Sequence, residues 1–117
     1  ADDDAETCTL VTDILRRAGY ATALARDAMQ TIAVANSRMP AVILLDIQMP
    51  AGTGIGALEK LKRSTRTSQI PVIVLSGTRD AGKIEQVKQL GAAAFLPKPV
   101  DPDALLETVP RVVGEKP

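Results

Sequence analysis

The chain of 117 residues has no histidine and no tryptophan, and its single cysteine is Cys8. Without histidine, the chain lacks the commonest metal ligand and general base among the side chains. One cysteine cannot form an internal disulfide, and we expect a reducing compartment, the cytoplasm. The chemistry of this protein must therefore rest on carboxylates, hydroxyls and ammonium groups.

Aromatic residues make up only 2% of the chain, and there is no excess of charge of either sign, since 14 Lys and Arg balance 14 Asp and Glu. The core must be built from Ala, Val, Ile and Leu, which suits α/β packing. A neutral chain offers no field that favours nucleic acid or an acidic membrane surface. The longest strongly apolar run, Ala41 to Leu45, is far shorter than the roughly 18 residues of a membrane span. We therefore expect neither a nucleic-acid nor a membrane partner.

Helical periodicity and short apolar runs alternate along the chain, which predicts βαβ units and a doubly wound parallel sheet in one domain. We assign the domain to residues 1–113 and residues 114–117 to a tail or the start of a linker. Helices are expected before Gly19, from Asp27, between the two long apolar runs, before Gly91 and from Asp101 onward. The predicted strands cover residues 20–24, 41–45, 71–75 and 92–96.

Polar residues stand beside the predicted strand ends, where ligands bind in such sheets. They are Asp2, Asp3, Asp46, Ser76 and Lys98. Three carboxylates in one pocket repel, by about 4 kcal/mol for a pair at ~4 Å and an effective dielectric near 20. Oxygen ligands alone select a hard cation, so we expect Mg²⁺, with Mn²⁺ as an acceptable substitute. The carboxylate of Asp46 would be the nucleophile in phosphoryl transfer.

Four motifs in order resemble the receiver domains of response regulators in two-component signalling, with the chemotaxis regulators as the nearest type. They are Asp2-Asp3, the sequence LLDIQMP around Asp46, VLSG around Ser76 and FLPKP around Lys98. The spacing agrees as well, because Ser76 follows Asp46 by 30 positions and Lys98 follows Ser76 by 22. The resemblance implies a flavodoxin-like fold with strand order 2-1-3-4-5 and a phosphorylation-controlled switch.

The resemblance also implies a role for each site residue. Asp46 would accept a phosphoryl group from a histidine of a partner kinase or phosphotransfer protein. Asp3, Asp46 and the backbone carbonyl of Gln48 would bind Mg²⁺ directly, and Asp2 would act mainly through a water. Ser76 and Lys98 would contact the phosphoryl group, and the peptide bond before Pro99 would be cis.

The signalling surface implied by the resemblance comprises the fourth helix, the last strand and the fifth helix. Ser76 and Phe95 would move on phosphorylation, although Phe95 is equally well explained as a core residue. The exposed residues to watch are Lys83, Glu85 and Lys88. A downstream protein or output domain would bind there, and a dimer is left open. We expect a regulatory phosphoacceptor that assists only its own phosphorylation and dephosphorylation, and no enzyme acting on other substrates.

One expected element has no counterpart in the sequence, because an interior first strand should run just before Asp2. Its loss would remove about 6–12 kcal/mol, as much as the net stability of a typical domain. We therefore expect either that the native chain begins earlier or that an equivalent strand comes from elsewhere, for example by exchange with a neighbouring molecule.

Two other functions fit parts of the pattern. Residues 52–57 match the GxGxxA motif of dinucleotide-binding folds, but Pro50 and the absence of an acidic residue after the next strand argue against it. An aspartate-nucleophile phosphohydrolase would share Asp46, Ser76, Lys98 and Mg²⁺. Such enzymes usually carry a second aspartate two positions on as general acid, and this chain has Gln48 there.

Overall fold

The computed structural model describes residues 1–47, 54–77 and 80–114. The described helices and strands alternate as in an α/β protein. In chain order they are α1 (Ala5–Arg17), α2 (Ala28–Arg38), β1 (Ile43–Asp46), α3 (Gly54–Arg63), β2 (Val72–Ser76), α4 (Ala81–Gln89), β3 (Ala94–Pro97) and α5 (Pro102–Gly114).

The three strands form one parallel sheet in the order β1-β2-β3. β1 and β2 are buried along their whole length, as expected for central strands with helices on both faces. Leu45 packs into one core layer with Ala57 and Leu58 of α3. Leu44 faces the other layer, which includes Leu105 and Val109 of α5. The parallel α/β architecture predicted from the alternating pattern is confirmed.

Several helix boundaries follow the predicted capping residues. The side chain of Asp27 accepts a backbone hydrogen bond at the start of α2, as predicted. Asp4 and Asp80 do the same for α1 and α4, which the sequence analysis did not identify. Gly19 and Gly91 have φ values of +96° and +102° and follow the ends of α1 and α4, where a left-handed residue suits glycine. In the described part of the chain, every helix is too short or too polar to cross a bilayer.

The strand predicted over residues 20–24 is wrong, because this segment forms no regular secondary structure. A strand needs a hydrogen-bonded neighbour, and the neighbour here is only the two-residue arm Ala1–Asp2. The amide of Asp2 donates to the carbonyl of Ala25 at 3.1 Å, on one side of the arm. On the other side, the amide of Asp46 donates to the carbonyl of Ala1 at 2.9 Å. The arm thus joins β1 to the segment 20–25 through backbone hydrogen bonds on both of its sides.

Behind the arm lies a cavity of about 280 Å³, bounded by β1, the segment 20–25 and helices α1, α2 and α5. Most of its lining is apolar, including Val11, Leu15, Val34 and Val113. The cavity occupies the place of the expected first strand.

Candidate functional site

The sheet brings three of the predicted site residues to one edge. Asp46 and Ser76 are the last residues of β1 and β2, and both side chains are buried. Lys98 follows β3, and its amide donates to the carbonyl of Ser76 at 2.9 Å. The Lys98–Pro99 peptide bond is cis, as the family resemblance implied. Residues that are 30 and 22 positions apart in sequence thus meet because parallel strands end at the same edge.

The ammonium group of Lys98 sits between two buried carboxylates. Its Nζ lies 2.8 Å from Oδ2 of Asp2 and 3.1 Å from Oδ2 of Asp46. Burial alone would lower the pKa of Lys98, but the contacts with Asp2 and Asp46 outweigh burial and the pKa is raised. Lys98 is therefore held in its charged form at the centre of the site.

The two N-terminal aspartates reach the same place from the arm. Carboxylate oxygens of Asp2, Asp3 and Asp46 all lie within 4.8 Å of one another. Asp2 is buried, and its Oδ1 accepts a hydrogen bond from the amide of Asp4 at 2.9 Å, whereas Asp3 is exposed. The structure thus brings Asp2, Asp3, Asp46 and Lys98 together, with Ser76 at the end of the neighbouring strand.

A hard divalent cation fits this donor set. Three carboxylates carry more negative charge than the single Lys98 neutralises, and all the offered ligands are oxygens. In addition, Oδ2 of buried Asp2 accepts no well-aligned hydrogen bond from any described residue, although the Lys98 ammonium lies close. Such an acceptor can take a cation as its partner, and the chain has no His, while the described cluster consists of carboxylates alone, so nothing in it favours a softer metal.

Two further features support the site and were not identified from the sequence. A Cβ on Gly54 would come within 2.1 Å of the carbonyl oxygen of Asp46, so glycine alone lets α3 begin directly against the end of β1. The thiol of Cys8 donates to the carbonyl of Asp2 at 3.1 Å and ties α1 to the arm. Gly54 stood out only as part of a dinucleotide-like motif, and nothing in the sequence singled out the contact made by Cys8.

Some predicted residues lie elsewhere or outside the description. Gln48, the proposed carbonyl ligand, falls outside the described residues. Phe95 in β3 is half-buried and packs against the core layer that includes Val74 and Val87. Lys83, Glu85 and Lys88 are exposed along α4. The positions of these four side chains are compatible with the predicted signalling surface but do not test it.

The sequence matches the model of the response regulator receiver domain family over residues 1–110. A curated relative, the polar-differentiation response regulator DivK of Brucella anthropi, is 28% identical over 97% of this chain and 93% of its own length. The solved structure of the chemotaxis protein CheY4 of Vibrio cholerae has a TM-score of 0.89 at 30% identity, covering 95% of this chain and 92% of that one.

Another solved structure is the receiver domain of a sensor histidine kinase from Pseudomonas aeruginosa, with a magnesium ion coordinated in its active-site cleft. It has a TM-score of 0.90 at 25% identity and covers 98% of this chain and 94% of that one. Taken with the flavodoxin-like fold and the cluster of carboxylates around Lys98, the matches show that this chain belongs to the response regulator receiver domain family, the phosphorylation-controlled switches of two-component signalling.

Proposed function

We propose that Asp46 accepts a phosphoryl group from a phosphohistidine of a partner kinase or phosphotransfer protein. An oxygen of the Asp46 carboxylate attacks phosphorus, the P–N bond to histidine breaks, and the histidine nitrogen leaves with the electron pair and takes up a proton. The product is an acyl phosphate. The observation that carries this proposal is the position of Asp46, which is buried at the strand end and lies 3.1 Å from the ammonium of Lys98.

Lys98 and Ser76 would act on the oxygens of the transferred group. The phosphoryl group brings negative charge to an already anionic pocket, and the compact ammonium of Lys98 is suited to compensate it. The hydroxyl of Ser76, at the end of the neighbouring strand, can donate to a phosphoryl oxygen. Phosphoryl transfer depends mainly on positioning and charge stabilisation of this kind.

We propose Mg²⁺ as the cofactor, with Mn²⁺ able to replace it. Asp3, Asp46 and the carbonyl of Gln48 would hold the ion directly and Asp2 through a water. When bound, the ion neutralises charge on the carboxylates and on the incoming phosphoryl group. The magnesium seen in the Pseudomonas aeruginosa receiver domain supports this choice, as do the carboxylates of Asp2, Asp3 and Asp46 gathered within 4.8 Å.

In this proposal the protein is a cytoplasmic regulatory phosphoacceptor that does not catalyse reactions of other substrates. Its downstream partner would bind the face formed by α4, β3 and α5, with Ser76 and Phe95 as the moving side chains. Replacing a carboxylate by a phosphate adds only about one negative charge, so the fold must already be poised between two states. We expect phosphorylation to shift backbone amide resonances from Ala81 to Leu96, and shifts confined to residues near Asp46 would contradict this output face.

The acceptor is tested by incubation with acetyl phosphate and Mg²⁺, followed by intact mass measurement. We expect Asp46→Asn to lose the phosphate mass increment completely while keeping its fold by circular dichroism. The matched control is Asp13→Asn, which removes an exposed carboxylate on α1 that pairs with Arg17. It should be labelled like the parent protein. Undiminished labelling of Asp46→Asn would refute the acceptor assignment.

The same assay tests the metal ligands. Asp3→Ala should slow labelling and weaken Mg²⁺ binding measured by calorimetry, because the ion loses a charged ligand. Asp13→Ala should change neither quantity. Equal Mg²⁺ affinity for Asp3→Ala and the parent would remove Asp3 from the ligand set.

A further inference from the structure

The last turns of α2 and α3 lie at the edge of the sheet opposite Asp46. β1 and β2 end at the site, so the segments that lead into these strands start from the other edge. The ammonium of Lys62, near the end of α3, donates to the carbonyl of Ile70, just before β2, at 2.9 Å. The guanidinium of Arg66 donates through Nε to the carbonyl of Asn36 at 2.9 Å. These bonds hold the ends of α2 and α3 side by side.

Positive charge is concentrated at this corner of the molecule. Between positions 28 and 79 the chain has five basic residues and two acidic ones, and one of the acidic residues is Asp46 at the other edge. The other acidic residue, Glu59, pairs with Arg63 at 3.4 Å. Four of the basic residues are exposed, and together they form the basic corner: Arg38, Lys60, Arg63 and Arg66. Four exposed cations thus share one carboxylate.

Helix ends account for only part of this charge. A cation in the last turn of a helix interacts favourably with the helix dipole, and every helix that the structure describes has at least one. Cations three positions apart on a helix repel each other, and Lys60 and Arg63 have this spacing on α3. An anionic group bound among the cations relieves such repulsion.

The available donors of the basic corner suit carboxylates. In the described part of the chain, the side chains of Arg38 and Lys60 form no hydrogen bond or ion pair, and the side chain of Arg66 uses only Nε. The terminal nitrogens of two guanidinium groups therefore remain as donors. Guanidinium groups bind carboxylates through paired hydrogen bonds, which gives them geometric selectivity as well as charge.

Two features favour a protein segment over other polyanions. Proteins that bind single-stranded nucleic acid stack bases on aromatic side chains, whereas the only Tyr and the only Phe of this chain lie outside α2, α3 and residues 64–70. Met39, next to Arg38, is 44% exposed, and its amide donates to the carbonyl of Ala35 at 3.1 Å. An exposed methionine on a fixed backbone offers an adaptable apolar contact beside the cations.

We propose that the basic corner, together with Met39, binds an acidic segment of a partner protein in which Asp or Glu residues flank an aliphatic side chain. The carboxylates pair with Arg38 and Arg66, and the aliphatic side chain packs on Met39. Because the basic corner lies at the edge opposite Asp46, the segment is bound without covering the phosphoacceptor. The basic corner is thus a docking site separate from the face formed by α4, β3 and α5.

The test uses the synthetic peptide acetyl-Glu-Asp-Glu-Leu-Asp-Glu-amide in an NMR titration of the chain described here. We expect binding that weakens as salt is added, with amide shifts centred on residues 36–39 and 63–67. The double variant Arg38→Gln, Arg66→Gln should bind at least about tenfold more weakly, because it loses both guanidinium groups. The matched control Arg16→Gln, Arg17→Gln removes the same charge from the end of α1 and should bind within about twofold of the parent.

A second variant keeps the bond by which Arg66 holds α2 beside α3. Arg38→Gln alone should weaken binding at least about threefold while the thermal midpoint stays unchanged. The parent chain should also bind a peptide with serine in place of leucine at least about threefold more weakly, because the contact with Met39 is lost.

Several outcomes would overturn the proposal. They are the absence of peptide binding, an equal loss of binding in the α1 control, which would show an effect of net charge alone, and equal affinity for the serine peptide. Tighter binding of an oligothymidylate of equal charge, or of phosphatidylserine vesicles, would do the same, since a nucleic acid or a membrane would then be the occupant. These measurements need no phosphoryl donor and are independent of the role of Asp46.

Discussion

The two sides of β1 differ in how they are built. On one side β1 pairs with β2 along all four of its residues, from Ile43 to Asp46. On the other side its neighbours are the two-residue arm and then the cavity. The first side holds Asp46 on a continuous ladder, whereas the second holds Asp2 and Asp3 through a few hydrogen bonds. Asp46 thus belongs to the sheet, whereas Asp2 and Asp3 lie beside it on the segment that precedes α1.

Two leucine-to-alanine substitutions, one on each side of β1, test this contrast, and one of them should have the largest effect on stability. Leu45→Ala removes a fully buried side chain from β1 and should lower the free energy of unfolding by about 2–5 kcal/mol. Leu24→Ala removes a side chain that is 50% exposed at the cavity. This substitution should change the free energy of unfolding by less than about 1 kcal/mol. Urea denaturation monitored by circular dichroism measures both. Similar losses for the two variants would show that the sides of β1 are equally well packed.

A smaller effect is expected where α3 begins against the end of β1. Gly54→Ala places a Cβ 2.1 Å from the carbonyl oxygen of Asp46 and 2.3 Å from Cα of Ile47, both backbone atoms that cannot rotate away. We expect a loss of about 1–3 kcal/mol, together with slower labelling by acetyl phosphate because Asp46 is displaced. Gly114→Ala, whose Cβ would have no atom within 4 Å, is the matched control and should change stability by less than about 0.5 kcal/mol. Unchanged labelling of Gly54→Ala would show that the backbone at Asp46 tolerates displacement.

The sequence was informative where a local pattern has a local physical cause. The continuous apolar runs at residues 41–45 and 71–75 predicted the buried strands β1 and β2. Asp27 and the glycines at positions 19 and 91 predicted helix boundaries because capping involves neighbours only a few residues apart. The failed strand at residues 20–24 shows the limit, since its residues suit a strand but strand formation also needs a hydrogen-bonded neighbouring strand.

The sequence by itself determined the architecture and the members of the site. Parallel strands place their carboxyl ends at one edge, and so Asp46, Ser76 and Lys98 had to converge. Only the tertiary structure decided that Lys98 lies between Asp2 and Asp46, that Gly54 must lack a Cβ, and that a cavity flanks β1. These features depend on distances of a few ångströms between segments remote in sequence, and packing fixes such distances only when the whole chain has folded.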